Sequence, residues 1–272
     1  MQIKFFLIII ISIFYSCATN PFTGKKTFAL VPNSKIIPLS FSEYDKFISE
    51  SKVIDDTYES KQIKRVGQRI SVAAERWLDA NGYHGYLKNY EWEFTLIDDK
   101  TVNAWCMPGG KIVFYTGILP IAKNETGIAT IMGHEIAHAL ANHGQQRMSA
   151  GLLQQAGLLL GNSAISDEED REAFNVAYGV TSNYGAMLPF NRSHENEADK
   201  IGLYIMAIAG YNPDEASNLW ERMKNNNKDN KSIPEFLSTH PSNENRIKNL
   251  KNLSPNAKSE AKKFGVTSYR KI

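Results

Sequence analysis

Cysteine is scarce here: the 272 residues hold two, Cys17 and Cys106, which excludes a scaffold built on disulfides. No apolar run reaches the roughly 18 residues of an ordinary membrane-spanning helix, and no repeat of roughly 20 to 50 residues recurs, so a solenoid is excluded. Neither sign of charge dominates. Thirty-one lysines and arginines stand against 29 aspartates and glutamates, a net charge of +2, so there is no general electrostatic reason to expect nucleic acid as a partner. What is present is ordinary: 42% apolar and 22% charged residues, close to the globular average and enough to build one substantial core, which excludes intrinsic disorder for most of the chain.

Lys4 and the amino terminus supply positive charge, and Phe5 to Phe14 follow as a stretch that is apolar except for Ser12. That is the length of a signal-peptide core and too short to span a bilayer. Ser16-Cys17-Ala18 then resembles the lipobox of bacterial lipoproteins, although Tyr15 departs from the usual small residue. The expectation is a signal peptide over 1–16, lipidation at Cys17, and a tether over 17–40, where Asn20-Pro21, Thr23-Gly24, Val31-Pro32 and Pro38 break regular structure. Residues 41–272 remain as one folded domain.

Within that domain, Ile63, Val66, Gly67, Ile70, Ala73, Ala74 and Trp77 recur at helical spacing until Asn81-Gly82. The period then changes. Residues 91–97 alternate polar and apolar, Pro108-Gly109-Gly110 reads as a turn, and residues 111–116 are β-branched and aromatic, so a small antiparallel sheet is expected. Helices are expected near 125–143, 146–161, 168–180, 193–210, 213–226 and 243–264. Strands first and helices after define a mostly helical α+β domain. Met148 to Gly161 is leucine-rich and is expected to pack as core, with a lid over a cleft as the alternative.

His134-Glu135-Ile136-Ala137-His138 carries the chemistry. Two imidazoles at i and i+4 are neighbours on one helical face, close enough to grip one zinc ion, with Glu135 beside them as general base for a metal-activated water. Such a site needs a third protein ligand. Downstream, Arg192-Ser193-His194-Glu195-Asn196-Glu197-Ala198-Asp199 places Glu195 and Asp199 on one helical face, with Glu197 pointing away and His194 about 100° round the helix. His143 lies off the ligand face and reads as a helix-end hydrogen bonder. His84 carries no role, the aromatics Tyr83, Tyr86, Tyr90 and Trp92 read as packing residues, and Cys106 reads as small packing rather than chemistry.

HExxH followed by ExxAD resembles the zinc metallopeptidase family that includes HtpX and the CAAX prenyl proteases, peptidase family M48, and is most similar to its bacterial lipoprotein members of the BepA and LoiP type. The resemblance implies a zincin-like domain, Glu195 as third zinc ligand and Asp199 as an acceptor orienting a zinc-bound histidine. Val102 to Val113 looks like the family's strand pair before the zinc helix, the second strand being an edge that could bind extended substrate. Ser238-Thr239-His240-Pro241 and Arg246 resemble a late motif: His240 is then either a fourth ligand that holds the enzyme inactive or a donor to the oxyanion, with Arg246 as the alternative donor. The implied activity is a zinc endopeptidase acting on unfolded or misassembled cell-envelope proteins. The implied setting is a lipid-anchored, periplasm-facing protein of the bacterial outer membrane, near its assembly machinery. The rival reading is a chaperone or assembly factor with a closed site of His134, His138, Glu195 and His240.

Overall fold

The computed structural model describes residues 17–229, 234–241 and 244–270; the expected signal peptide, 1–16, lies outside them. The chain starts with a short antiparallel pair, β1 (Cys17–Thr19) and β2 (Lys26–Phe28), joined by a tight turn. Helix α1 (Asn33–Glu50) follows, starting eight residues before the expected boundary at Phe41 and carrying Pro38 inside it. The 17–40 segment is therefore not a bare tether. Ile36, Ile37 and Tyr44 are buried, because an amphipathic first turn gains more from apolar burial than the proline costs in a lost hydrogen bond.

Helix α2 (Tyr58–Ala80) is capped by the Thr57 hydroxyl and buries the expected stripe of Ile63, Val66, Ile70 and Ala74 against the sheet. The sheet orders β3 (Val53–Ile54), β4 (Glu93–Ile97), β6 (Lys111–Tyr115) and β5 (Ala104–Met107). It is mixed rather than antiparallel, since β4 pairs parallel to β6. Residues 98–103 cross the end of β6, where Asp99 bonds Thr116, and deliver β5 to the far side. The edge is accordingly β5 and not β6, whose five residues are all buried. Alternation along a strand reports which face is buried, not which strand lies alongside.

A short helix α3 (Leu119–Ala122) leads into α4 (Glu125–Leu140), capped by Asn124, with Arg65 and Arg69 paired to Glu125 in its first turn. Every residue of α4 from Thr126 to Leu140 is buried, so it runs through the centre of the molecule. Around it come α5 (His143–Ala164), α6 (Glu168–Ser182), one π turn over Asn183–Met187, α7 (Leu188–Ile208), α8 (Glu215–Asp229), the short α9 (Glu235–Thr239) and α10 (Glu244–Lys263). The α5 helix is not core beyond its first turns: Leu152, Leu153, Leu159 and Leu160 are exposed, and α6 buries no residue. Among the described residues, no helix is long and apolar enough to cross a membrane.

Candidate metal centre

Helices α4 and α7 cross at two glycines. A Cβ on Gly133 would stand 2.8 Å from the Gly202 carbonyl oxygen, and one on Gly202 would stand 2.8 Å from Gly133 and His134 backbone atoms. Only bare backbone permits that approach. It brings the HExxH face of α4 against the Glu195–Asp199 face of α7.

Three donor atoms then converge. His134 Nε2 and His138 Nε2 are 3.1 Å apart, and Glu195 places Oε2 3.2 Å from the first and Oε1 3.2 Å from the second. Ligands about 2.0–2.1 Å from a tetrahedral zinc stand about 3.3 Å from one another, so the spacing and the nitrogen and oxygen donors both fit that ion. His240 joins them, its Nδ1 3.1 Å from His134 Nε2 and 2.9 Å from Glu195 Oε2. These four are the metal-capable cluster found among the described residues. His240 is held from behind: Phe236, fully buried, stacks on Trp220 and packs against the His240 ring, and its amide donates to the Val102 carbonyl at the start of β5.

Glu135 sits beside this cluster with its Oε1 buried and without a hydrogen-bond partner, 3.5 Å from His240 Nε2. A carboxylate oxygen left bare in the interior is costly unless something in the cleft uses it. Burial, opposed by His240 and His134, lifts the Glu135 carboxyl above its ordinary value. Burial would raise Glu195 as well, but the three imidazoles of His134, His138 and His240 around it outweigh burial and hold that carboxyl far below the usual range.

Both histidines of the HExxH face have an outer partner. His134 Nδ1 is 3.0 Å from Asp199 Oδ1, and Arg246 donates to both Asp199 oxygens at 2.7 Å while its Nη1 lies 3.2 Å from Glu195 Oε2. The Arg246 guanidinium lies over the Trp220 ring at 3.5 Å. Asp199 thus lies against His134 Nδ1, and Arg246 bridges Asp199 and Glu195. His138 Nδ1 is 2.9 Å from His143 Nδ1, and His143 Nε2 is 2.9 Å from Glu197 Oε2. His143 also stacks on His194, which bonds Gln146 and does not reach the donors. Five of the six histidines gather here, leaving the exposed His84 paired with Asp79.

Sequence reasoning missed His143 and Glu197. On an unbroken helix, five residues carry a side chain about 140° round from His138. The chain instead breaks at Asn142, which is left-handed at φ 56°, and Tyr86 and Tyr90 donate to the terminal carbonyls of Leu140 and Ala139. The new helix starts at His143 and turns it back toward His138. The signal was Ala141-Asn142, since asparagine is the side chain that best tolerates a left-handed helix end.

A cleft of about 860 Å³ opens above the cluster, lined by Ala104, Trp105 and Cys106 of β5, by Glu135 and His138, by Arg147, and by Arg192 and Glu195. Burial and the Glu135 charge push the Cys106 thiol well up. Nothing is described of the Cys17 side chain.

A central HExxH helix, a glutamate from a crossing helix and a cleft beside a strand edge are the α+β arrangement of the zincin-like metallopeptidases. The chain belongs to peptidase family M48, which matches residues 59–254, more than half its length. It is 35% identical over 209 residues to the mitochondrial metalloendopeptidase OMA1 of Saccharomyces cerevisiae, covering 73% of this chain and 56% of that protein. Human mitochondrial metalloendopeptidase OMA1 is 27% identical over 260 residues, 93% of this chain and 49% of that one. The β-barrel assembly-enhancing protease of Escherichia coli is 27% identical over 165 residues, 58% of this chain and 34% of that one. The chain spans about half the length of the curated relatives it matches.

These relatives correct the expected location. Proteins named mitochondrial, from fungi, a plant and animals, match at up to 35% identity, and this overturns the placement in a bacterial outer membrane. The bacterial placement rests on the lipobox-like segment ending at Cys17 and on the resemblance to the BepA and LoiP type.

Proposed function

We propose that the chain is a zinc-dependent endopeptidase that hydrolyses peptide bonds in unfolded or misassembled proteins. His134, His138 and Glu195 would hold the ion, which when bound supplies a Lewis acid for the scissile carbonyl and lowers the pKa of water. The remaining work falls to the chain's own groups. Glu135 takes the proton of the attacking water at its bare Oε1 and passes it to the departing amide nitrogen. Asp199 accepts from His134 Nδ1 and turns that ring's Nε2 toward the other donors, while Arg246 fixes Asp199 with two parallel hydrogen bonds. The free side of β5 offers unpaired backbone groups, so an extended polypeptide can add to the sheet and lie across the cleft with little side-chain selection. Folded proteins, whose backbone is already paired, do not fit that mode.

The observation that carries this reading is the buried, unpartnered Glu135 oxygen beside three convergent donors, because a purely structural zinc site has no use for a general base. Glu135→Gln is expected to abolish cleavage of an unfolded protein such as casein while zinc remains bound at about one ion per chain. Cleavage at the wild-type rate by that variant overturns the mechanism.

The placement of His240 Nδ1 on the donor cluster favours a second reading, a site closed by a fourth ligand, in which the chain seldom cuts and acts as a chaperone or assembly factor. His240→Ala separates the two: a rise in peptidase activity marks His240 as an inhibitory ligand, and a fall marks it as part of the catalytic machinery.

A further inference from the structure

The two zinc-facing histidines are steadied from different parts of the chain. The partners of His134, Asp199 and Arg246, come from α7 and α10. Those of His138 lead out of the domain, through His143 and Glu197, to Thr23 in the turn between β1 and β2.

The bonding order along this path follows by elimination. Glu197 Oε2 only accepts, so His143 carries its proton on Nε2, and in the neutral ring its Nδ1 is then an acceptor. His138 Nδ1, 2.9 Å away, must therefore carry a proton, which leaves the lone pair of His138 on Nε2, the atom that faces His134 and Glu195. Reversed, the same contact would put the proton on Nε2 and block that atom as a ligand. The direction is set by Glu197, and Glu197 is set by its other oxygen: Thr23 Oγ1 donates to Oε1 at 2.8 Å, with Lys25 Nζ 3.8 Å away.

Thr23 is itself fixed. Asn20 closes the turn through bonds with Phe22, Gly24 and Lys25, and the Phe22 ring stacks on Trp77 at 4.3 Å. Further on, Leu30 donates to Ser149 and Gln145 donates to the Val31 carbonyl, so the segment is stitched to the start of α5 beside His143. The amino-terminal turn lies before residue 59, where the match to the family model begins.

We propose that Thr23, Glu197 and His143 are positioning residues for the metal centre, and that the amino-terminal turn, by bonding Glu197, sets the tautomer and orientation of His138. The proposal rests on the zinc reading above. An outer partner of this kind is typically worth about 10- to 100-fold in metal affinity. A single hydroxyl one step further out is expected to be worth roughly 3- to 10-fold, in the range of one hydrogen bond.

The test is zinc affinity of the full chain, measured by competition with a chromophoric chelator, together with the visible spectrum of the cobalt-loaded protein. Glu197→Gln should weaken zinc binding about 10- to 100-fold and shift the cobalt bands. Thr23→Val should weaken it roughly 3- to 10-fold with the thermal midpoint of the metal-free protein unchanged, and Thr23→Ser, which keeps the hydroxyl, should restore wild-type affinity. Wild-type affinity and an unshifted spectrum in both Glu197→Gln and Thr23→Val overturn the proposal. So does equal weakening by Thr23→Val and Thr23→Ser, which marks Thr23 as packing alone. A wild-type chain that binds no zinc overturns the metal-centre reading itself, and the proposal with it.

Discussion

Glu135 is the residue whose environment makes the most specific demand on solution behaviour. A general base works ionised, and burial raises the pH at which Glu135 takes up a proton. The acid limb of kcat/KM is therefore expected above the ordinary carboxylate value near 4.5, with activity lost as pH falls through it; a limb at or below that value in a pH-rate profile would show that the charge of a bound ion outweighs burial at Glu135. At this scale the sequence was informative where chemistry is local. The pair His134 and His138 announces itself because i,i+4 spacing is fixed by the helix, and Glu195 and Asp199 share a face for the same reason. His240 and Arg246 reach the cluster only through the packing of Phe236 and Trp220, which no spacing rule contains, and they were legible only as a motif resemblance.

Among the elements, the crossing of α4 and α7 decides whether a site exists at all. Gly133 admits a second backbone, that of Gly202. Gly202→Ala puts a methyl group against atoms that cannot rotate away, so it is expected to destabilise the fold by about 1–3 kcal/mol and to weaken zinc binding by moving Glu195 off the two histidines. Urea unfolding and metal titration of the same variant check both halves; an unchanged affinity would show that the helices tolerate separation. The six helices expected after Glu125 were readable from periodicity to within five residues, whereas the start of α1, the short α9 and the sheet's pairing were not. Its parallel pair and its true edge, β5, arise from residues 98–103 crossing the end of β6, a long-range event that leaves no alternation pattern behind. The exposed leucines of α5 were misread for a related reason, since helical spacing shows that a face is apolar but not that anything covers it.

For the molecule as a whole, the donors lie on α4, on α7 and just after α9, so one bound ion ties together stretches more than 100 residues apart. Ligand binding to the folded state alone adds about 4 kcal/mol when free ligand is 1,000-fold above Kd, and about 1 kcal/mol moves the midpoint of a chain near this size by roughly 2–4 °C. Chelation is thus expected to lower the thermal midpoint by about 8–16 °C under those conditions, read by differential scanning fluorimetry with and without EDTA; no shift would mean the ion contributes nothing to holding these elements together. The same architecture places the Cys106 thiol on the cleft wall, part-buried, and disfavours its reactive thiolate by burial and by the Glu135 charge. In a Cys17→Ser background that thiol becomes a built-in clock: its rate of alkylation counts how often the cleft breathes open, and occupancy by a peptide would register as a slowing of the clock.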